Sequence, residues 1–168
     1  MSVDVRERLA ELGLRLPEVS APKGAYVPAV RSGIHVFVAG QIPLTGGELT
    51  LTGKVGAEVS PERARELSRQ CALAALAAAD SVAPLESVVR VVKVVGYVSS
   101  APGFTRQAGV VDGASELLVE VFGEAGRHAR SAVGMDILPL NAPVEIEVVL
   151  EVAPHQGAAP RPSLPDLA

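Results

Sequence analysis

Residues 128–152 read HARSAVGMDILPLNAPVEIEVVLEV. Two β-branched runs, about 130–137 and 144–152, predict strands. The intervening LPLNAP (138–143) is long for a hairpin loop but compatible with the two strands being neighbours. Side chains alternate faces along a strand. Val144, Ile146, Val148 and Leu150 therefore share one face, and Glu145, Glu147, Val149 and Glu151 the other. In the first run Ser131, Val133, Met135 and Ile137 share a mostly apolar face, opposite Arg130, Ala132, Gly134 and Asp136. If the apolar faces lie under helices, Arg130 and the two glutamates belong together on the uncovered face.

Working outward, SVVRVVKVVGYVSS (87–100) is apolar at nearly every position and predicts a strand covered on both faces. Residues 60–82 form the clearest helix. Ser60 is its N-cap, Pro61 occupies the first helical position, and Ala64, Leu67, Cys71, Ala74, Ala78 and Val82 form its stripe. A second helix is expected from an Asp112 cap to about Gly123. YVPAV (26–30), a turn at Arg31–Gly33 and IHVFVAG (34–40) predict a hairpin. The turn-rich 41–56 crosses the end of the sheet, and residues 4–13 form a short amphipathic helix. The order β-β-α-β-α-β-β, two helices against one mixed sheet, predicts a two-layer α+β domain. It spans residues 1–153, with 1–22 as an N-terminal helix-and-loop extension and a Pro/Ala-rich disordered tail over 154–168.

Composition narrows the function. Aromatics are 3% of the chain and tryptophan is absent, so the core is built from Ala, Val and Leu. The net charge of −4, with no basic stripe, argues against a nucleic-acid surface. Cys71 is the single cysteine, read as a core thiol, and His35, His128 and His155 are scattered without zinc spacing. No metal and no cofactor is expected. Without a signal peptide or a membrane-length apolar run, a cytoplasmic protein is expected. A helix-free sheet face carrying Ala132, Gly134 and Val149 would leave apolar surface in water, which predicts a homo-oligomer packed through that face. Arg130 then sits at a subunit boundary and needs an anion. Spacing alone leaves two candidates, a protein carboxylate or a small carboxylic acid held by the guanidinium fork.

GAYVPAV, FVAGQIP, ARSAV and LP…VEIE, in that order between about Gly24 and Val152, resemble the RidA/YjgF family of reactive-intermediate deaminases. The resemblance implies a chorismate-mutase-like fold, a homotrimer and clefts between subunits. It implies that Arg130 clamps a substrate carboxylate, that Glu145 positions the hydrolytic water, and that Tyr26 lines the cleft with Ala39, Gly40, Gln41 and Ala132. The chain departs from the family pattern at Ala39, where a serine is usual, and at Ala132, where a cysteine is frequent. It departs again at Asp112 or Gly113, where an asparagine is expected. It is similar to a divergent branch. The activity implied is hydrolysis of 2-imino acids or their enamines to 2-keto acids and ammonia. The alternatives are a non-catalytic small-carboxylate-binding regulator and, against the charge balance, an endoribonuclease or translation inhibitor. Glu147 is expected to be a surface or interface charge, and His128 a surface histidine or a rim residue.

Overall fold

A computed structural model describes residues 4–154. The expected tail from 155 onward, with His155, lies outside the described residues. Helix α1 (Val5–Glu11) is capped by the Asp4 carboxylate, which accepts from the Arg6 and Glu7 amides, and it buries Val5 and Leu9. Strands β1 (Ala29–Ser32) and β2 (His35–Gln41) form the first hairpin. Ser32 pairs with His35, so the turn is Gly33–Ile34, and Gly33 takes the φ of +62° that a two-residue hairpin turn needs. Strands β3 (Leu44–Thr45) and β4 (Glu48–Leu49) make a small second hairpin around Gly46 and Gly47. Helix α2 (Pro61–Asp80) starts as its cap predicts, with the Ser60 Oγ accepting from the Arg63 amide at 3.1 Å. Then follow β5 (Val88–Ser99), α3 (Gln107–Phe122), β6 (Ala129–Met135) and β7 (Val144–Val152).

The main sheet runs β1-β2-β7-β5-β6, with β5 and β6 parallel and the other pairs antiparallel. Strands β6 and β7 are therefore not neighbours, contrary to the reading of 128–152 as an adjacent pair. The β5–α3–β6 crossover returns β6 parallel to β5 at the sheet edge. That leaves the other side of β5 for β7, and residues 136–143 must pass over the end of β5. Helices α2 and α3 cover one face and pack on each other. At their closest approach, the Ser68 hydroxyl donates to the Val110 carbonyl at 2.6 Å and accepts from the Ala114 amide at 3.1 Å. Gly113 lies directly against this junction. Cys71, on the inner side of α2, is fully buried, and burial holds its thiol well above its ordinary pKa, as a core thiol requires.

Two further expectations change. Helix α3 begins at Gln107 rather than at an Asp112 cap, so Asp112 sits inside the helix and its carboxylate is free to pair elsewhere. The faces of β6 are also inverted. Arg130 lies across from Val94 and Ala132 across from Gly96, positions buried under α3, whereas Val133 lies across from Tyr97 on the open face. Val133 and Met135 are exposed there, and Ala132 packs against the core. The inversion has a physical cause: the open face is itself apolar, with Val30 and Phe37 half exposed, so apolarity cannot identify the covered side.

Candidate functional site

Glu145 and Glu147 lie on the open face, as alternation along β7 predicts. Glu145 is opposite Tyr97 and Glu147 opposite Val95. The Tyr97 hydroxyl donates to Glu147 Oε2 at 3.2 Å. Among the described residues no hydrogen bond reaches the Glu145 carboxylate. Burial, and then the charge of Glu147, raises its pKa above the ordinary carboxylate value. A half-buried carboxyl without a partner and with a raised pKa is suited to taking and giving a proton.

Glu145 forms one wall of a cavity of about 240 Å³, together with Tyr26, Gly40, Gln41, Lys23 and Leu140. Local structure explains its shape. The β2–β7 register shifts between Val38 and Gln41, and this irregularity carries Gly40 against the Glu145 side chain. A Cβ on Gly40 would stand 2.7 Å from the Glu145 carboxyl carbon, so glycine is what lets the carboxylate occupy that position. The Gln41 amide nitrogen donates to the Ala39 carbonyl at 2.9 Å, leaving the amide oxygen for the cavity. Leu140, which also lines the cavity, is held at φ 57°, a left-handed conformation costing a β-carbon-bearing residue about 1–2 kcal/mol. Tyr26 precedes β1 in a loop rather than within the expected strand. Ala39 faces an adjoining apolar hollow with Phe37 and Val149, which Tyr26 also lines.

Arg130 is elsewhere. It lies on the helix-covered side of the edge strand, and one chain does not bring it to Glu145. The expected grouping of Arg130, Ala132 and the glutamates on one face is therefore corrected. The guanidinium is nonetheless organised. Its Nη1 donates to Asp112 Oδ1 at 2.7 Å and to Ser115 Oγ at 3.2 Å. Its Nε and Nη2 have no partner among the described residues, so the outer edge of the fork is unpaired there, and the side chain as a whole is 24% exposed. That edge presents two parallel N–H groups, the arrangement that grips a carboxylate bidentately. The ion pair with Asp112 occupies the other edge, so the acid inside α3 orients the arginine without filling its anion-binding edge.

His128 is half-buried rather than a free surface histidine. Its Nδ1 is 2.6 Å from the Gly126 carbonyl and its Nε2 is 2.9 Å from Ser115 Oγ. Sequence reasoning missed Ser115 and Lys23 at these sites. Ser115 follows Asp112 by three residues, which puts the two on one helical face, but only once the helix start is correctly placed.

Among the described residues no helix is long and apolar enough to cross a membrane. The model of the family described as "YjgF/chorismate_mutase-like, putative endoribonuclease" matches residues 6–152. Protein TCP17 of Trypanosoma cruzi is 40% identical over 150 residues, covering 88% of this chain and 94% of its own. The crystal structure of Atu1372 from Agrobacterium tumefaciens is 42% identical with a TM-score of 0.82, over 89% of this chain and 92% of that one. A Shewanella oneidensis protein described as a "putative endoribonuclease" is 31% identical with a TM-score of 0.85, over 88% and 99% of the two chains. The match covers the whole sheet, both long helices and the segments holding Tyr26, Arg130 and Glu145, and on that extent the chain belongs to the YjgF/chorismate mutase-like family.

Proposed function

We propose that the protein hydrolyses reactive 2-imino acids, or their enamine tautomers, to 2-keto acids and ammonia in a cleft between subunits. The observation that carries this reading is a pair of unspent groups. One is an arginine whose outer N–H edge is free, and the other is a carboxyl with no hydrogen-bond partner and a raised pKa. Because they lie on opposite faces of one sheet, two protomers are required to bring them together. The exposed apolar side chains of the open face, including Phe37, Val30, Val133 and Met135, supply a surface for that association.

In this mechanism Arg130 of one protomer anchors the substrate carboxylate and thereby orients the imine carbon. Glu145 of another takes a proton from a water as its oxygen bonds to that carbon. Glu145 hands that proton to the imine nitrogen, giving a carbinolamine. It then moves the hydroxyl proton to the nitrogen as the C–N bond breaks and the carbonyl forms, leaving the keto acid and ammonia. Positioning supplies much of the acceleration, because the imine is already electrophilic. Tyr26 and Gln41 line the cavity beside the reacting carbon.

The test is ammonia release from an imino acid generated in situ. Arg130→Ala and Glu145→Gln are each expected to lose most of the activity. Co-refolded mixtures of the two are expected to recover part of it, because some clefts then hold an intact Arg130 and an intact Glu145. Full activity in Arg130→Ala would overturn the reading. Pyruvate binding without turnover in the wild type would leave a carboxylate-binding protein and remove the deaminase.

A further inference from the structure

The structure assigns Ser115 and His128 a positioning role: through a one-way chain of hydrogen bonds they fix the plane of the Arg130 guanidinium and aim its free edge. This rests on the reading of Arg130 as a carboxylate anchor and adds two residues to it.

The direction of each bond follows from the chemistry of its partners. A carbonyl oxygen can only accept, so the hydrogen bond between Gly126 and His128 Nδ1 puts a proton on Nδ1. Burial, and to a lesser degree the charge of Arg130, lowers the His128 pKa, while the Gly126 bond pulls the other way. A neutral ring protonated on Nδ1 has a bare lone pair on Nε2. Ser115 must therefore donate its hydroxyl proton to Nε2 across 2.9 Å. With that proton committed, the Ser115 oxygen presents lone pairs to Arg130 Nη1 at 3.2 Å. Asp112 Oδ1 accepts the other Nη1 hydrogen at 2.7 Å. Both Nη1 hydrogens are thus consumed by acceptors one turn apart on α3.

A guanidinium is planar, so fixing the Nη1 edge fixes the whole fork. Its Nε–H and the Nη2–H beside it, which have no partner among the described residues, are then held in one orientation relative to α3. Asp112 alone would supply charge, but a single contact leaves rotation about that contact free. Ser115 removes the rotation, and His128 prevents the hydroxyl from turning its own proton toward the arginine. A bare structural tie between α3 and β6 would not need a defined tautomer or a defined hydroxyl direction.

The role can be tested on the full-length protein without any ligand. The Arg130 Nη–H resonances, assigned by their loss in Arg130→Lys, are expected to show slow rotation about the Cζ–Nη1 bond in the wild type. In Ser115→Ala that rotation is expected to speed up by about tenfold, the loss of one hydrogen bond to a charged group. Ser115→Thr, which keeps the hydroxyl, is expected to restore slow rotation. Unchanged rotation in Ser115→Ala overturns the proposal, as does a long-range nitrogen spectrum showing His128 bare on Nδ1. Pyruvate titration separates this from the parent reading. Arg130→Ala should abolish binding, and Ser115→Ala should weaken it about three- to tenfold with little change in Tm. If Arg130→Ala binds pyruvate like the wild type, the anchoring role fails, while the rotation data still decide the positioning.

Discussion

Replacing Gly40 by alanine tests the cavity most directly. The Gly40 φ lies outside the left-handed range, so alanine is tolerated by the backbone and the effect comes from the added methyl group alone. That carbon would lie 2.7 Å from the Glu145 carboxyl carbon and 3.0 Å from its Cγ, with the carboxylate oxygen nearer still. Carbon atoms settle at about 3.5–4.0 Å, so the carboxyl must retreat by about 1 Å. Glu145 can do this by leaving its preferred rotamer, at about 0.5–1.5 kcal/mol. For a chain of this length that lowers Tm by only about 2–4 °C per kcal/mol. The functional cost is larger, because a displacement of about 1 Å of a group that must address a reacting atom can cost about 10²-fold. The assay is ammonia release beside a thermal melt. Expected is a roughly hundredfold loss of rate in a protein that melts within a few degrees of wild type. A rate within twofold of wild type would refute the placement of Glu145 at the reacting carbon. A collapse in Tm with the loss of rate would instead mean that Gly40 serves the fold.

Other substitutions probe other levels. Gly113→Ala would put a carbon 2.7 Å from Ser68 Oγ and 2.9 Å from the Arg65 carbonyl carbon. Backbone cannot swing aside, so α2 and α3 must separate. Urea denaturation should show destabilisation at the upper end of the overpacking range, about 3 kcal/mol, and a change under 1 kcal/mol would contradict the packing described. Glu145→Gln should change the pH profile of stability. The folded pKa of Glu145 is raised, so between its ordinary and raised values the native state holds more protons than the unfolded one, and stability falls as pH rises through that window. The glutamine variant should therefore gain Tm relative to wild type above the window and match it below. A difference independent of pH would disprove the cause. Cys71 should resist a thiol reagent until the protein unfolds, and rapid modification of the native protein would contradict its burial.

The elements were legible in the sequence because their signals are local. Ser60–Pro61 opens α2, and the alternation of β7 separates Glu145 and Glu147 from the core; the apolar run of β5 does form an interior strand, but only one of its faces is covered within the chain, and Val89 on it is half exposed. The residues around Glu145 could also be named, since GAY, AGQ and VEIE carry Tyr26, Gly40, Gln41 and Glu145 to one region of the fold. Asp112 misled because an acid before an apolar run resembles an N-cap, whereas here it is an ion-pair partner one turn and a half into α3.

What the chain alone determined, then, was which segments are strands and helices and which side chains alternate together. Which face of β6 is covered was decided only by tertiary structure. Both of its faces carry small or apolar residues, so alternation has no polarity to read. The β5–α3–β6 crossover places the strand at the edge, and α3 closes over Arg130 and Ala132 rather than over Val133 and Met135. That single choice separates Arg130 from Glu145 within one chain, pairs the arginine with Asp112 and Ser115, and leaves its outer edge free. No spacing in the sequence encodes it, because it depends on contacts between segments that the helix–sheet packing brings together.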